Sequence, residues 1–317
     1  MKITDILQNS KQAFASFELV PPLKGNDSEK LYSHLQPLMD FSPPFINITC
    51  HRDEIKYAQN QDGSIRKTLI KKRPGTLAII AAILRKYEIE IVPHVICGGA
   101  SRQKIEDELL DFNFLGIENI MALRGDAQKE QKSFIPEIDG YHNAFQLVKH
   151  VKRLNNGIFL DSEELSMVKT NFCIGVGCYP EKHREATDIQ SDIVRLKEKV
   201  DSGANYIVTQ MFFDNSYYYS FVEKCRQAGI NVPIIPGLKP VSTLKQMNIL
   251  PKLFSINMPQ LLLEEITRCK SDIDIYNLGI EWCINQSKDL LKHDIPVIHY
   301  YTMGKADNIK QIITSVF

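Results

Sequence analysis

Apolar residues along the chain gather into eight short runs: Phe14–Val20, Phe45–Cys50, Glu90–Cys97, Asn119–Gly125, Phe172–Tyr179, Tyr206–Phe213, Val232–Leu238 and Val297–Thr302. Each is the length of a strand, and their near-continuous apolar character suits a parallel sheet covered by helices on its outer face. Between them lie amphipathic stretches with helical spacing: Ser28–Asp40, Pro74–Tyr87, Ser101–Leu115, Tyr141–Leu154, Asp188–Ser202 and Ser216–Ala228. The seventh run is followed by a split region from Ser242 to Arg268 and then by Ser271–His293. The eighth is followed by Asp307–Ser315. Eight strands, each followed by helix, predict an α/β fold, a (β/α)8 TIM barrel forming a single domain over residues 1–317. A doubly wound open sheet is the second architecture compatible with the alternation.

Local punctuation agrees with these boundaries. Gly116, Gly229 and the Ser202-Gly203-Ala204 step stand where helices should stop, and Pro74-Gly75 and Ser101 stand where helices should start. Two longer polar stretches, His51–Arg73 and Asn155–Lys169, read as loops or small excursions rather than linkers between domains.

Composition narrows the function classes. Thirty-eight basic residues balance thirty-eight acidic ones, so no long-range field favours nucleic acid or an anionic membrane. The Lys71-Lys72-Arg73 cluster stops at Pro74 and reads as a solvated turn. No apolar run approaches the length of a membrane span, and Met1–Asp5 has no apolar leader, so a cytoplasmic protein is expected. The seven cysteines form no CxxC pair and the histidines show no metal-ligand spacing, so neither a disulfide frame nor a metal centre is expected. There is no G-x-G-x-x-G and no P-loop.

In a barrel the chemistry gathers at the C-terminal ends of the strands. Those ends carry Glu18, Thr49-Cys50-His51-Arg52, His94 with Cys97, Leu123-Arg124-Gly125-Asp126, Tyr179-Pro180-Glu181-Lys182-His183, Thr209-Gln210, Pro236-Gly237-Leu238-Lys239-Pro240 and His299-Tyr300-Tyr301-Thr302. Glu18 interrupts an apolar run that Pro21-Pro22 ends. A carboxyl buried there has its pKa raised and can keep a proton to donate near neutral pH. Individually these residues have ordinary readings: Arg124-Gly125-Asp126 as a surface turn, His94 as a core histidine, Tyr217-Tyr218-Tyr219 as packing. Together they describe a small-molecule enzyme using acid and base side chains without a metal.

Six segments in order resemble the methylenetetrahydrofolate reductase family: Ser16–Pro22, Ala122–Asp126, Tyr179–His183, Lys199–Asn205, Thr209–Asp214 and Pro236–Ser242. The resemblance runs from the first strand to Tyr301-Thr302 in the eighth. It implies a barrel that binds FAD and passes reducing equivalents from NADH or NADPH to 5,10-methylenetetrahydrofolate, giving 5-methyltetrahydrofolate by ping-pong hydride transfer. It also implies a homo-oligomer and a catalytic barrel alone, with no regulatory domain. By resemblance Glu18 is the general acid that opens the imidazolidine ring at N10. Asp126 lies beside flavin and pterin and stabilises the iminium cation. Gln210, Leu244 and Lys305 fall at folate-binding positions. Thr49, His94, Leu123, Arg124, Gly125, Asp126, Tyr179, His183, Asp192, Arg195 and Lys199 fall along the FAD. The sequence departs from the family pattern at Leu19-Val20, at Glu198 (where Arg195 one turn earlier can supply the positive charge) and at Met303-Gly304-Lys305. A pterin- or corrinoid-binding barrel acting in methyl transfer, and a catalytically silent subunit, are the alternatives from other classes.

Overall fold

The computed structural model describes residues 1–128, 131, 133–161, 168–304 and 306–317. In chain order its elements are α1 (Ile3–Asn9), β1 (Phe14–Leu19), α2 (Ser28–Met39), β2 (Phe45–Ile48), β3 (Glu54–Gln59), β4 (Ile65–Ile70), α3 (Thr76–Leu84), β5 (Glu90–Ile96), α4 (Arg102–Phe114), β6 (Asn119–Leu123), α5 (Ala144–Leu154), β7 (Cys173–Cys178), α6 (Ile189–Asp201), β8 (Tyr206–Thr209), α7 (Asn215–Gln227), β9 (Ile234–Ile235), β10 (Gly237–Leu238), α8 (Leu244–Phe254), α9 (Gln260–Arg268), α10 (Asp272–Lys292), β11 (Val297–Tyr301) and α11 (Asp307–Val316). Among the described residues no helix is long and apolar enough to cross a membrane.

Nine strands pair in the order β10-β11-β1-β2-β5-β6-β7-β8-β9, all in parallel. β9 and β10 are two halves of one stave, separated by Pro236, which has no N–H for the ladder. The Pro236 carbonyl still accepts from His299 N at 2.9 Å, and Gly237 N donates to Thr209 Oγ1 at 2.9 Å. The sheet therefore closes into eight staves, which selects the barrel over the open sheet.

Strand alternation builds two apolar regions. Outward residues such as Phe17, Leu19, Ile46, Ile48 and Val95 pack under the helices. Inward residues Phe45, Val92, Met121, Cys173, Tyr206, Ile235 and Val297 fill the lower interior. The α1 helix, which the sequence reading did not anticipate, adds Ile3 and Ile6 to that lower cluster. Asn119 fixes it there, accepting from Ile3 N at 2.8 Å and donating to the Met1 carbonyl at 2.9 Å. At Gly175 a Cβ would stand 2.4 Å from the Tyr206 ring, so the missing side chain makes room for that phenol.

Helix starts follow capping chemistry. Ser101, Asn143, Asp188, Thr243 and Ser271 each accept from a backbone N–H in the first turn of α4, α5, α6, α8 and α10. Gly116 and Gly229 end α4 and α7 with φ of +76° and +74°, the left-handed conformation glycine adopts freely. The stretch His51–Arg73, expected to be a loop, contains the antiparallel hairpin β3–β4, whose strands pair only with each other. Asp62-Gly63 turns it, with Gly63 at φ +84° and Asp62 accepting from Ser64 N at 2.9 Å.

Candidate active site

The C-terminal ends of the strands surround a cavity of about 580 Å³, within the size range of small-molecule and cofactor sites. Its wall includes Glu18, His94, Leu123, Arg124, Gly125, Asp126, Tyr179, His183, Asp192, Arg195, Lys199 and Gln210, residues from five strands or strand exits and from α6. Thr49 and Leu244 are not brought to it. The Thr49 hydroxyl donates back to the Leu19 carbonyl at 3.4 Å, and Leu244 opens α8 with its side chain 53% exposed. Lys305 lies outside the described residues.

Glu18 stands on the inward row of β1. Burial pushes its carboxyl up to about 8. His94 Nε2 is 3.9 Å from Glu18 Oε2, the spacing of an ion pair. Burial pushes His94 down to about 3, so near neutral pH a protonated carboxyl faces a neutral imidazole. Two other carboxyls are raised by burial, Glu181 to about 7 and Glu108, but neither lines the cavity. Glu181 instead accepts from Asn257 N at 2.7 Å.

Below Glu18 the interior is polar where barrels usually carry branched apolar side chains. His299 Nδ1 lies 2.9 Å from Ser16 Oγ, and Asn47 Nδ2 lies 3.4 Å from His94 Nε2. Burial pushes His299 down to about 3 as well. Tyr301 donates to the Thr209 carbonyl at 2.6 Å, and Thr302 donates to the Glu18 carbonyl at 2.7 Å.

A second part of the wall is charged. Arg124 donates to both Glu185 oxygens, at 2.5 and 3.0 Å, and these hydrogen bonds hold Glu185 below the usual carboxylate range. Lys199 donates to the Gly177 carbonyl at 2.8 Å, and burial lowers its ammonium. Asp192 accepts from His183 N at 2.8 Å, fixing the turn after Tyr179. The Tyr179 and His183 rings meet edge to face at 4.6 Å. Burial, then Asp126 and Asp192, raise the Tyr179 phenol to about 12. Among the described residues no group of three His, Cys, Asp or Glu could hold a metal ion.

Asn47, His299, Tyr301, Glu185 and Phe254 also line the cavity and were not singled out as site residues from the sequence. A buried asparagine inside the apolar run Phe45–Ile48 was the available signal for Asn47. His299 and Tyr301 sit at a strand end already recognised as polar. Nothing local marks Glu185 or Phe254.

The fold and wall define an α/β barrel with a buried carboxyl on the wall of the cavity at its strand ends. The family model "Methylenetetrahydrofolate reductase" matches residues 2–316, and the chain belongs to that family. It is similar to 5,10-methylenetetrahydrofolate reductase of Pectobacterium carotovorum subsp. carotovorum, 30% identical over 293 residues, covering 92% of this chain and 86% of that one. It is equally similar to methylenetetrahydrofolate reductase (NADH) 1 of Arabidopsis thaliana, 30% identical over 313 residues, covering 96% of this chain but 48% of the plant protein. The chain thus spans about half the length of such eukaryotic relatives. Among solved structures, an uncharacterised Clostridium thermocellum protein that binds two copies of 5-methyl-5,6,7,8-tetrahydrofolic acid superposes with a TM-score of 0.61. It is 15% identical, with 98% of this chain and 97% of that one covered, which bears on the fold alone.

Proposed function

We propose that this barrel is an oxidoreductase that uses NADH or NADPH to reduce 5,10-methylenetetrahydrofolate to 5-methyltetrahydrofolate, with FAD as its cofactor. The observation that carries the reading is Glu18, a buried carboxyl on the cavity wall held protonated near neutral pH. The folate must gain a proton at N10 before its ring opens, and Glu18 has one to give. Once deprotonated it leaves a carboxylate beside the cationic iminium, which favours the opened form. Asp126 adds a second carboxyl to the same wall. Gln210 offers an amide that both donates and accepts for the pterin edge.

The donor set supports a dinucleotide. Arg124, Arg195 and Lys199 supply positive charge along one side. Among the described residues the Lys199 ammonium donates to the Gly177 carbonyl, so N–H donors remain for phosphate. Gly177 opens the wall between them, since a Cβ there would already press on Leu123 at 3.2 Å. Arg124, Lys199, Tyr179 and His183 would hold the FAD, which when bound supplies a two-electron carrier between nicotinamide and folate. Glu198 also faces the cavity, and Arg195 on the same helix offsets its charge.

One cavity serves both substrates in turn, so double-reciprocal plots at several folate concentrations are expected to be parallel; intersecting lines contradict this. Only the folate half-reaction needs the Glu18 proton. In Glu18→Gln, reduction of the flavin by the nicotinamide should stay within about threefold of wild type while folate reduction falls at least about 100-fold. Equal loss of both half-reactions would remove Glu18 from the acid role.

A further inference from the structure

We propose that Asn47 is a positioning residue for Glu18: it holds the His94 imidazole with its Nε2 lone pair toward the carboxyl, which favours the proton-bearing form of Glu18. The inference rests on the reading of Glu18 as the acid.

The β1–β2 register sets Asn47 directly beside Glu18. Asn47 is buried, 1% exposed, and its Nδ2 lies 3.4 Å from His94 Nε2. An amide nitrogen can only donate, so Nε2 must accept. A neutral imidazole that accepts at one nitrogen carries its proton on the other, here Nδ1. Glu18 Oε2 lies 3.9 Å from that same Nε2. A carboxylate there meets a lone pair and is repelled; a carboxylic acid can turn its O–H toward that lone pair, sharing it with the long 3.4 Å contact from Asn47, and is attracted. Without the Asn47 donor, His94 is free to carry its proton on Nε2 and to donate to the carboxylate, which reverses the preference. The Asn47 Oδ1 is buried with no hydrogen-bond partner among the described residues.

The other groups facing Glu18 do not account for this preference. From β11, His299 is pushed down to about 3 by burial and engages Ser16 through Nδ1, and the Tyr301 hydroxyl is committed to the Thr209 carbonyl. From beyond β2, His51 is lowered by burial and then by Arg73. From β7 the Tyr179 phenol is raised to about 12. These titratable neighbours are uncharged near neutral pH. Elsewhere on the cavity wall the charged groups are Arg124 and Asp126 at the β6 exit, Glu185 beyond β7, and Asp192, Arg195, Glu198 and Lys199 on α6. Among the described residues the one ion-pair contact of Glu18 is His94.

The test uses the purified protein with 15N-labelled histidine. The His94 signals are assigned by their loss in His94→Gln, and the Glu18 carboxyl band in the infrared by its loss in Glu18→Gln. Wild-type His94 should carry its proton on Nδ1. In Asn47→Leu and in the smaller Asn47→Ala, which both remove the donor without adding a charge, the proton should move to Nε2, and the Glu18 midpoint should fall by at least about one pH unit, a tenfold change in its ionisation. A wild-type His94 protonated on Nε2, or an unmoved Glu18 midpoint in either variant that folds, overturns the proposal. Asn47→Ala removes the amide without adding bulk or charge, which keeps the test falsifiable if the leucine variant does not fold. Neither readout uses turnover. A failure of the reductase reading therefore shows separately, as absent folate reduction in a wild type whose histidine and carboxyl behave as stated.

Discussion

Burial holds the Glu18 carboxyl protonated near neutral pH, and among the described residues its one ion-pair contact is the neutral His94. That has a cost in stability with a definite sign. The folded-state value of about 8 lies above the ordinary carboxyl value of 4.5, so between those two pH values the folded protein holds a proton that the unfolded chain has released. Stability is highest below the lower value and is lost as pH rises through the upper one. Each pH unit of that window is worth about 1.4 kcal/mol, so the loss amounts to a few kcal/mol. Glu18→Gln cannot ionise and should lack this loss. Its thermal midpoint should rise relative to wild type as pH goes from 5 to 8.5, and a constant difference between the two would contradict the buried, proton-bearing carboxyl. Glu18 was legible in the sequence because a charge in an apolar run ending at Pro-Pro is a local signal. The layer beneath it was not. That Ser16 meets His299 and Asn47 meets His94 inside the barrel depends on strand neighbours up to 283 residues apart, and no spacing along the chain carries that information.

At the scale of elements, the alternation of apolar runs and amphipathic stretches located the eight staves and the helices that follow them. It missed what departs from that rhythm. The α1 helix is a single short amphipathic stretch with two buried isoleucines, too brief for a period to show. The hairpin β3–β4 is largely exposed, and its apolar residues are interleaved with charged and polar ones, so no near-continuous apolar run like those of the barrel strands marked it; Asp62-Gly63 was its clearest signature. Tyr57 is 65% exposed and Ile65 73%, and the barrel strands do not pair with either strand of the hairpin. Replacing residues 55–69 by a short Gly-Ser turn should therefore move the thermal midpoint by no more than about 4 °C, the shift expected of roughly 1 kcal/mol in a protein larger than about 150 residues. A drop beyond about 10 °C would mean that the hairpin is held by contacts the isolated barrel needs.

At the scale of the molecule, closure of the barrel converts eight separate strand ends into one wall. Arg124, Tyr179, Lys199 and Gln210 are as much as 86 residues apart in the chain yet line one cavity with Glu18. The site was legible as a set because the fold rule says where strand ends converge, and because six ordered segments resemble one family. Of the positions taken from that resemblance, Asp192, Arg195 and Lys199 on α6 line the cavity, whereas Thr49 and Leu244 do not. The central claim is that this cavity binds FAD and moves hydride from nicotinamide to folate. The visible spectrum of the purified protein, supplied with FAD and recorded anaerobically, tests it most directly. Flavin bands should bleach on adding NADH or NADPH and return on adding methylenetetrahydrofolate. A protein that stays colourless after incubation with FAD, or whose bleached bands do not return with the folate, would contradict it.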